Sequence, residues 1–318
     1  MIAFFKGFLA RIAAKTYYIG FSIFLTAFFI FLAMLITTGA EASILVAYVG
    51  EEMPETESEF VRFEHLKEAP SMAEMVLGEY DVLVEDGAER RIESLKNVEY
   101  ESIVAALLAG ESVDEHFEDD GNPAPRIIGF ALVVILLQSF FYLDLFIEDK
   151  KNGALSRMLS SPKRLGGYLN VVYLYGAVII FVVTMLVLAL LRFGLGETIG
   201  LNFGYYALLV GLSTLLGSAM AFAITAVIEV RDNAGGLYVV LVLLTSILSG
   251  SFGALNLDGG FAERVSRAMP QYHIIELAHG FVDGSFSITH LLYVIAFIGA
   301  LLALSYTVVS RKARTGMY

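Results

Sequence analysis

The sequence predicts an all-α polytopic membrane domain, six transmembrane helices preceded by an N-terminal interfacial helix, with a small α+β extracytoplasmic domain inserted after the first span. Three observations predict it. Of the 318 residues, 57% are hydrophobic and only 17% charged, against roughly 45–50% and 25% in soluble domains. Six apolar stretches each reach the roughly 20 residues that a helix needs to cross a bilayer. The charge is also divided: residues 39–125 hold 23 of the 33 acids and five bases, so that segment carries -18 and the remainder +6.

Residues 1–16 place Ile2, Phe4, Phe5, Phe8, Leu9 and Ile12 at helical spacing with Lys6 and Lys15 off the stripe, the pattern of a helix lying in the membrane interface. The first span covers 17–38. Ala40-Glu41-Ala42 after it looks like a signal-peptidase site, but the apolar run exceeds the roughly 7–15 residues of a signal-peptide core, so it reads as a retained span. Within 39–125, runs 44–49, 60–66 and 80–84 are rich in branched and aromatic residues and read as strands. Ser71 with Glu74 three residues on caps a predicted helix over 71–77, and a second helix is predicted over 98–108. The acid excess reads as a solvated surface, or as a field that acts on charged cargo. Residues 126–318 supply five more spans, near 127–147, 168–191, 204–228, 236–256 and 289–309.

Orientation follows from the short flanks, because Lys and Arg are retained on the cytoplasmic side. With both termini inside, twelve bases fall on that side, from Lys6 to Arg314, and Arg126, Arg192, Arg264 and Arg267 on the other. The expected location is the cell membrane, with lipid as the surrounding partner and no nucleic acid. The chain has no cysteine, which excludes disulfides, thiolate metal sites and a cysteine nucleophile. No GxxxxGK[ST] phosphate loop occurs, so the chain is not expected to be an enzyme that hydrolyses ATP.

The segment 148–166 between the second and third spans is the most informative. Leu155, Met158 and Leu159 share a helical face, Arg157 points elsewhere, and Ser161-Pro162 is expected to stop the helix before a Gly166-Gly167 bend. The charges suit a basic interfacial loop, and the spacing equally suits a docking helix with an apolar ridge. Acid, bases, Gly153, an amphipathic turn and Ser161-Pro162 before a span resemble the coupling segment of type-two ATP-binding-cassette (ABC) exporter permeases. Leu248-Ser249-Gly250-Ser251-Phe252 resembles that family's Ser-Gly-x-Phe element. Pro270 to His273, followed by Gly280 and Asp283-Gly284, resembles its external re-entrant segment, here 257–285. The resemblance implies a permease subunit that dimerises, with itself or a related permease, and docks a separate ATPase subunit. ATP and Mg would then bind that partner, with no cofactor in this chain. It points to Glu148, Asp149, Lys151, Leu155, Arg157, Met158 and Leu159 as the docking residues. It also implies a path along the second and fifth spans, lined by Gln138, Phe141, Tyr142, Thr245, Ser249 and Phe252, whose aromatic, uncharged character suits an amphipathic or lipid-like substrate.

The remaining features have plainer readings. His273, Glu276 and His279 are three apart, but 100° per residue puts the first and last on different faces, so a polar external turn is favoured over a metal site. Ser213/Gly217, Ser246/Gly250 and Ser249/Gly253 are small-xxx-small seams. Asp144 is expected to reach water or a base near the cytoplasmic end, and no carboxylate sits at mid-span, which disfavours ion-coupled transport. A sensor or scaffold using the external domain, and a membrane metalloenzyme, are the rival readings.

Overall fold

A computed structural model describes residues 7, 11, 16–39, 44–50, 61–66, 69–71, 80–86, 90–94, 98–110, 122–153, 155, 162–194, 196, 199–228, 231–252 and 261–315. The predicted interfacial helix, apart from helical residues 7 and 11, and the predicted helix 71–77 beyond its first residue lie outside them. The chain divides into two compact units, Leu35–Asn122 and the rest.

The smaller unit holds strands β1 (Ile44–Val49), β2 (Val61–His65), β3 (Val82–Asp86) and β4 (Arg90–Ser94), then helix α2 (Val98–Leu108). The sheet order is β2-β1-β3-β4, with β1 parallel to both neighbours and β3 antiparallel to β4. Val46 lies opposite Phe63 on one side and Val82 on the other. The two-residue alternation of strands therefore gathers Ile44, Val46, Tyr48, Val61, Phe63, Val82 and Val84 on one face, which Ile103, Val104 and Leu107 of α2 cover. Polar side chains tie the ends: Tyr48 Oη donates to Asp86 at 2.6 Å, and the Ser94 amide donates to Glu101 at 2.8 Å. Strand β4 (RRIES) was not expected, because its alternation is of charges around one Ile. As an edge strand it gains such charges as protection against further pairing.

The larger unit comprises α1 (Thr16–Gly39), α3 (Ala124–Tyr142), α4 (Asp144–Lys151), α5 (Pro162–Ala189, continuing as a π-helical turn to Gly194), α6 (Phe203–Val227), α7 (Arg231–Leu248), α8 (Phe261–Arg267), α9 (Pro270–Val282) and α10 (Ile288–Arg314). Helix α3 is its centre, buried almost all round and packed on α5, α6, α7 and α9. Helices α1 and α10 leave most of their apolar surface open, as lipid-facing helices do. Apolar burial does not drive association between helices in lipid, so close backbone approach and polar contacts must hold them together. Gly217 of α6 supplies one such approach: a Cβ there would fall 2.4 Å from Ser139 Oγ and 3.3 Å from Leu136 Cα on α3. Gly129 supplies another, since its Cβ would meet the Ser251 carbonyl at 2.2 Å. Tyr238 Oη of α7 reaches the Leu136 carbonyl at 2.7 Å.

Among the described residues, five helical stretches are long and apolar enough to cross a membrane, Ala124–Lys151 being counted as one although a turn at Leu143 interrupts it. The expected span 236–256 is instead α7, whose apolar part, Asn233–Leu248, is shorter than the others. The hydrophobic run continues past it, but Gly250 at φ 75° ends the helix. The Gly250 amide donates to Ile247 and the Ser251 amide to Ser246, which is a Schellman closure. Gly250 thus acts as a helix stop. Pro162 opens α5, as its fixed φ and missing N–H allow at a first helical position, and Gly166 and Gly167 lie inside α5 rather than at a bend; the helix stop expected at Ser161-Pro162 concerns a preceding segment outside the described residues.

Candidate functional site

Helix α4 reads Asp-Leu-Phe-Ile-Glu-Asp-Lys-Lys, with acids ahead of bases as the helix dipole favours. Successive residues diverge by 100°, so its charges address different neighbours. Arg11 Nη1 donates to both Asp149 oxygens at 2.8 and 3.0 Å, and Nη2 to Glu148 Oε2 at 3.3 Å. A planar guanidinium can span two adjacent carboxylates in this way, where an ammonium cannot. Tyr168 Oη of α5 donates to Asp149 Oδ2 at 2.7 Å, which satisfies a carboxylate only 6% exposed. Lys150 turns the other way, its ammonium 5.1 Å from the Phe146 ring centre and donating to the Thr225 carbonyl at 2.5 Å. Lys312 of α10 donates to the Val227 carbonyl at 2.8 Å. Both acceptors belong to the last turn of α6, whose carbonyls lack intrahelical donors and attract cations. Helix α4 is thereby fastened to the N-terminal segment, to α5 and to α6.

Among the expected docking residues, Glu148 is half-exposed and Lys151 exposed, whereas Asp149 is enclosed by Arg11 and Tyr168. Leu155 does not stand on an exposed ridge. Gly153 at φ 65° turns the chain after α4, and Leu155 is fully buried in the core. Arg157, Met158 and Leu159 lie outside the described residues.

The expected path residues separate into two groups. The Gln138 amide is committed to α1: Ser22 Oγ donates to its oxygen at 2.6 Å, and its nitrogen donates to Thr26 Oγ1 at 3.0 Å and the Ser22 carbonyl at 3.2 Å. Tyr142 is buried against Tyr175, which donates to its backbone carbonyl. These two hold helices together and do not line an open surface. Phe141 and Phe252 are 42% and 38% exposed, packed edge-on to Phe21 and Phe130 respectively. Ser249 is buried and bonded to Ser251 at 2.9 Å, and half-buried Thr245 accepts from Gln271 at 2.6 Å. Asp144 is also buried, and accepts from Tyr18 at 3.1 Å.

A family model described as "ABC-2 family transporter protein" matches residues 71–307. The chain belongs to the ABC-2 transporter family. It is therefore an ABC transporter permease, a multi-pass membrane protein of the kind that serves as the membrane component and not as the ATPase. No curated protein and no solved structure matches the chain.

In this ABC-2 permease the match runs from within the smaller unit through most of α10, and so takes in α4, α7 and α9. Helix α9 begins at Pro270, and its Gly280 allows the following turn to close: a Cβ there would come 3.1 Å from the Ser285 carbonyl. His273 does not converge with Glu276 and His279. Its Nδ1 lies 2.7 Å from His290 Nδ1, and its ring stacks 3.9 Å from that of Tyr293, both partners on α10. Among the described residues no group of three or more His, Cys, Asp or Glu could hold a metal ion. Sequence reasoning missed His290, Gln271 and the Arg11 partnership. Gln271 was readable as a polar side chain in an apolar run, but its partner Thr245 lies 26 residues away.

Proposed function

We propose that this permease is the membrane subunit of an ABC exporter. It dimerises, with a second copy or a related permease, and couples ATP hydrolysis by a separate ATPase subunit to export of an amphipathic or lipid-like substrate. The family supports partnership with an ABC ATPase, and the anchored helix α4 supports its location. Arg11, Tyr168, Lys150 and Thr225 join one short charged helix to the N-terminal segment, α5 and α6. A push on α4 would therefore reach several helices at once. Six spans complete the reading, with α7 as the fifth: its 18 residues rise about 27 Å, close to the roughly 30 Å of a bilayer core. The twelve-to-four split of flanking bases supports an orientation in the cell membrane with both termini and α4 on the cytoplasmic side and the acidic unit outside.

ATP and Mg would act on the partner. This chain's contribution is the dock, meaning exposed Lys151 and half-exposed Glu148 beside the 152–161 segment that carries Arg157, Met158 and Leu159. Because Leu155 is buried, the test must spare it. Lys151→Glu with Met158→Asp should abolish stimulation of a co-expressed ABC ATPase while the chain still inserts and purifies; full stimulation by that variant refutes the dock.

A further inference from the structure

The contact between His273 and His290 joins the first turns of α9 and α10. An Nδ1 to Nδ1 distance of 2.7 Å is a hydrogen bond only when one nitrogen carries a proton and the other a lone pair. A neutral pair meets that condition, and so does a pair with one extra proton. Two imidazolium rings cannot, because both Nδ1 atoms would then be donors at contact distance. Each histidine also sits near a helix N-terminus, where the dipole opposes a cation.

We propose that His273 and His290 form a proton-broken latch, closed while the pair holds at most one extra proton and opened when both rings are protonated, freeing the start of α9 from α10.

The surroundings favour the closed state at neutral pH. Burial, and then the neighbouring His290, hold His273 below the ordinary histidine range, while the Arg267 backbone opposes them. Helix α8 brings Glu263 and Arg267, paired with each other at 2.5 Å. Helix α9 adds Tyr272 and Glu276; Tyr272 is held in its neutral form by burial first and by Glu276 next. Helix α10 adds Tyr293, whose hydroxyl is bound to the Ala268 carbonyl at 2.7 Å. Helix α6 brings Tyr205, stacked on Phe281, and α3 carries Arg126 in its first turn. The last two turns of α7 contain no titratable residue.

The chain has no cysteine, so spin labels at His279→Cys and Leu292→Cys report the α9 to α10 separation without background. In the full chain in lipid nanodiscs, the separation should stay constant from about pH 8 to 6.5, the ordinary histidine range, and widen as the pH is lowered from there towards about 5. His290→Asn keeps an amide donor toward His273 but cannot titrate, and should hold the separation fixed. An unchanged separation down to about pH 5 in the parent, or the same widening in His290→Asn, overturns the latch. Thermal unfolding gives a second reading. A histidine whose folded-state pKa is lowered contributes stability that is whole above its unfolded pKa near 6.5 and is lost as pH falls below that value. Tm should therefore drop between about pH 7 and 5.5 in the parent, and by less in His273→Asn; equal drops overturn the proposal.

Discussion

At the scale of single residues, Arg11 and Asp149 make the most consequential pair. Breaking a buried ion pair typically costs about 3–5 kcal/mol, since one charge is left without a partner. Arg11 is 37% exposed, so water screens part of that. Arg11→Ala is expected to cost about 1–3 kcal/mol, and Arg11→Lys should recover only part, because an ammonium cannot grip both Asp149 oxygens while reaching Glu148. Chemical or thermal unfolding of the purified chain measures this, and a lysine variant as stable as the parent would contradict the bidentate geometry. The acids on this site were legible in the sequence as a charged run next to a span. Their partner was not, because Arg11 lies 138 residues from Asp149 and nothing local pairs them. The partners of Gln138 were hidden for the same reason: a polar residue in a span says that it needs a partner, not whether that partner is Ser22 or a substrate.

At the scale of elements, long-period apolar patterns were readable and end signals less so. Helices α1, α5, α6 and α10 lie where their hydropathy places them, and β1 and α2 begin and end at the expected residues. The errors arose where one residue type serves two purposes. Pro162 starts α5 and Gly250 stops α7, roles that neither residue was given from the sequence. Strand β4 stayed hidden because an edge strand needs no apolar alternation. Glycines give the test at this scale. Gly129→Ala would drive a methyl to 2.2 Å from a backbone carbonyl that cannot yield, and should destabilise the α3–α7 contact by about 1–3 kcal/mol or more. Gly236→Ala, with nothing within 4 Å of its Cβ, should be neutral or stabilise α7 by about 0.4–1 kcal/mol. Hydrogen exchange at α7 and overall Tm read both, and equal effects of the two substitutions would refute the close approach.

At the scale of the whole molecule, the net charge of -12 is a sum over two unlike environments. The acidic unit is a sheet covered by a helix, while in the helical body α4 and the end of α10 meet the end of α6 through Lys150 and Lys312. The absence of cysteine makes the topology directly testable. Arg91→Cys on the exposed edge strand should react with a membrane-impermeant maleimide on intact cells, and Arg311→Cys only after permeabilisation; the reverse pattern would invert the orientation. The most direct test of the account is to place a photo-crosslinker at Lys151→Cys in the full chain co-expressed with an ABC ATPase. The account predicts a permease–ATPase adduct from that position and none from Arg91→Cys. An adduct from Arg91→Cys with none from Lys151→Cys would contradict it.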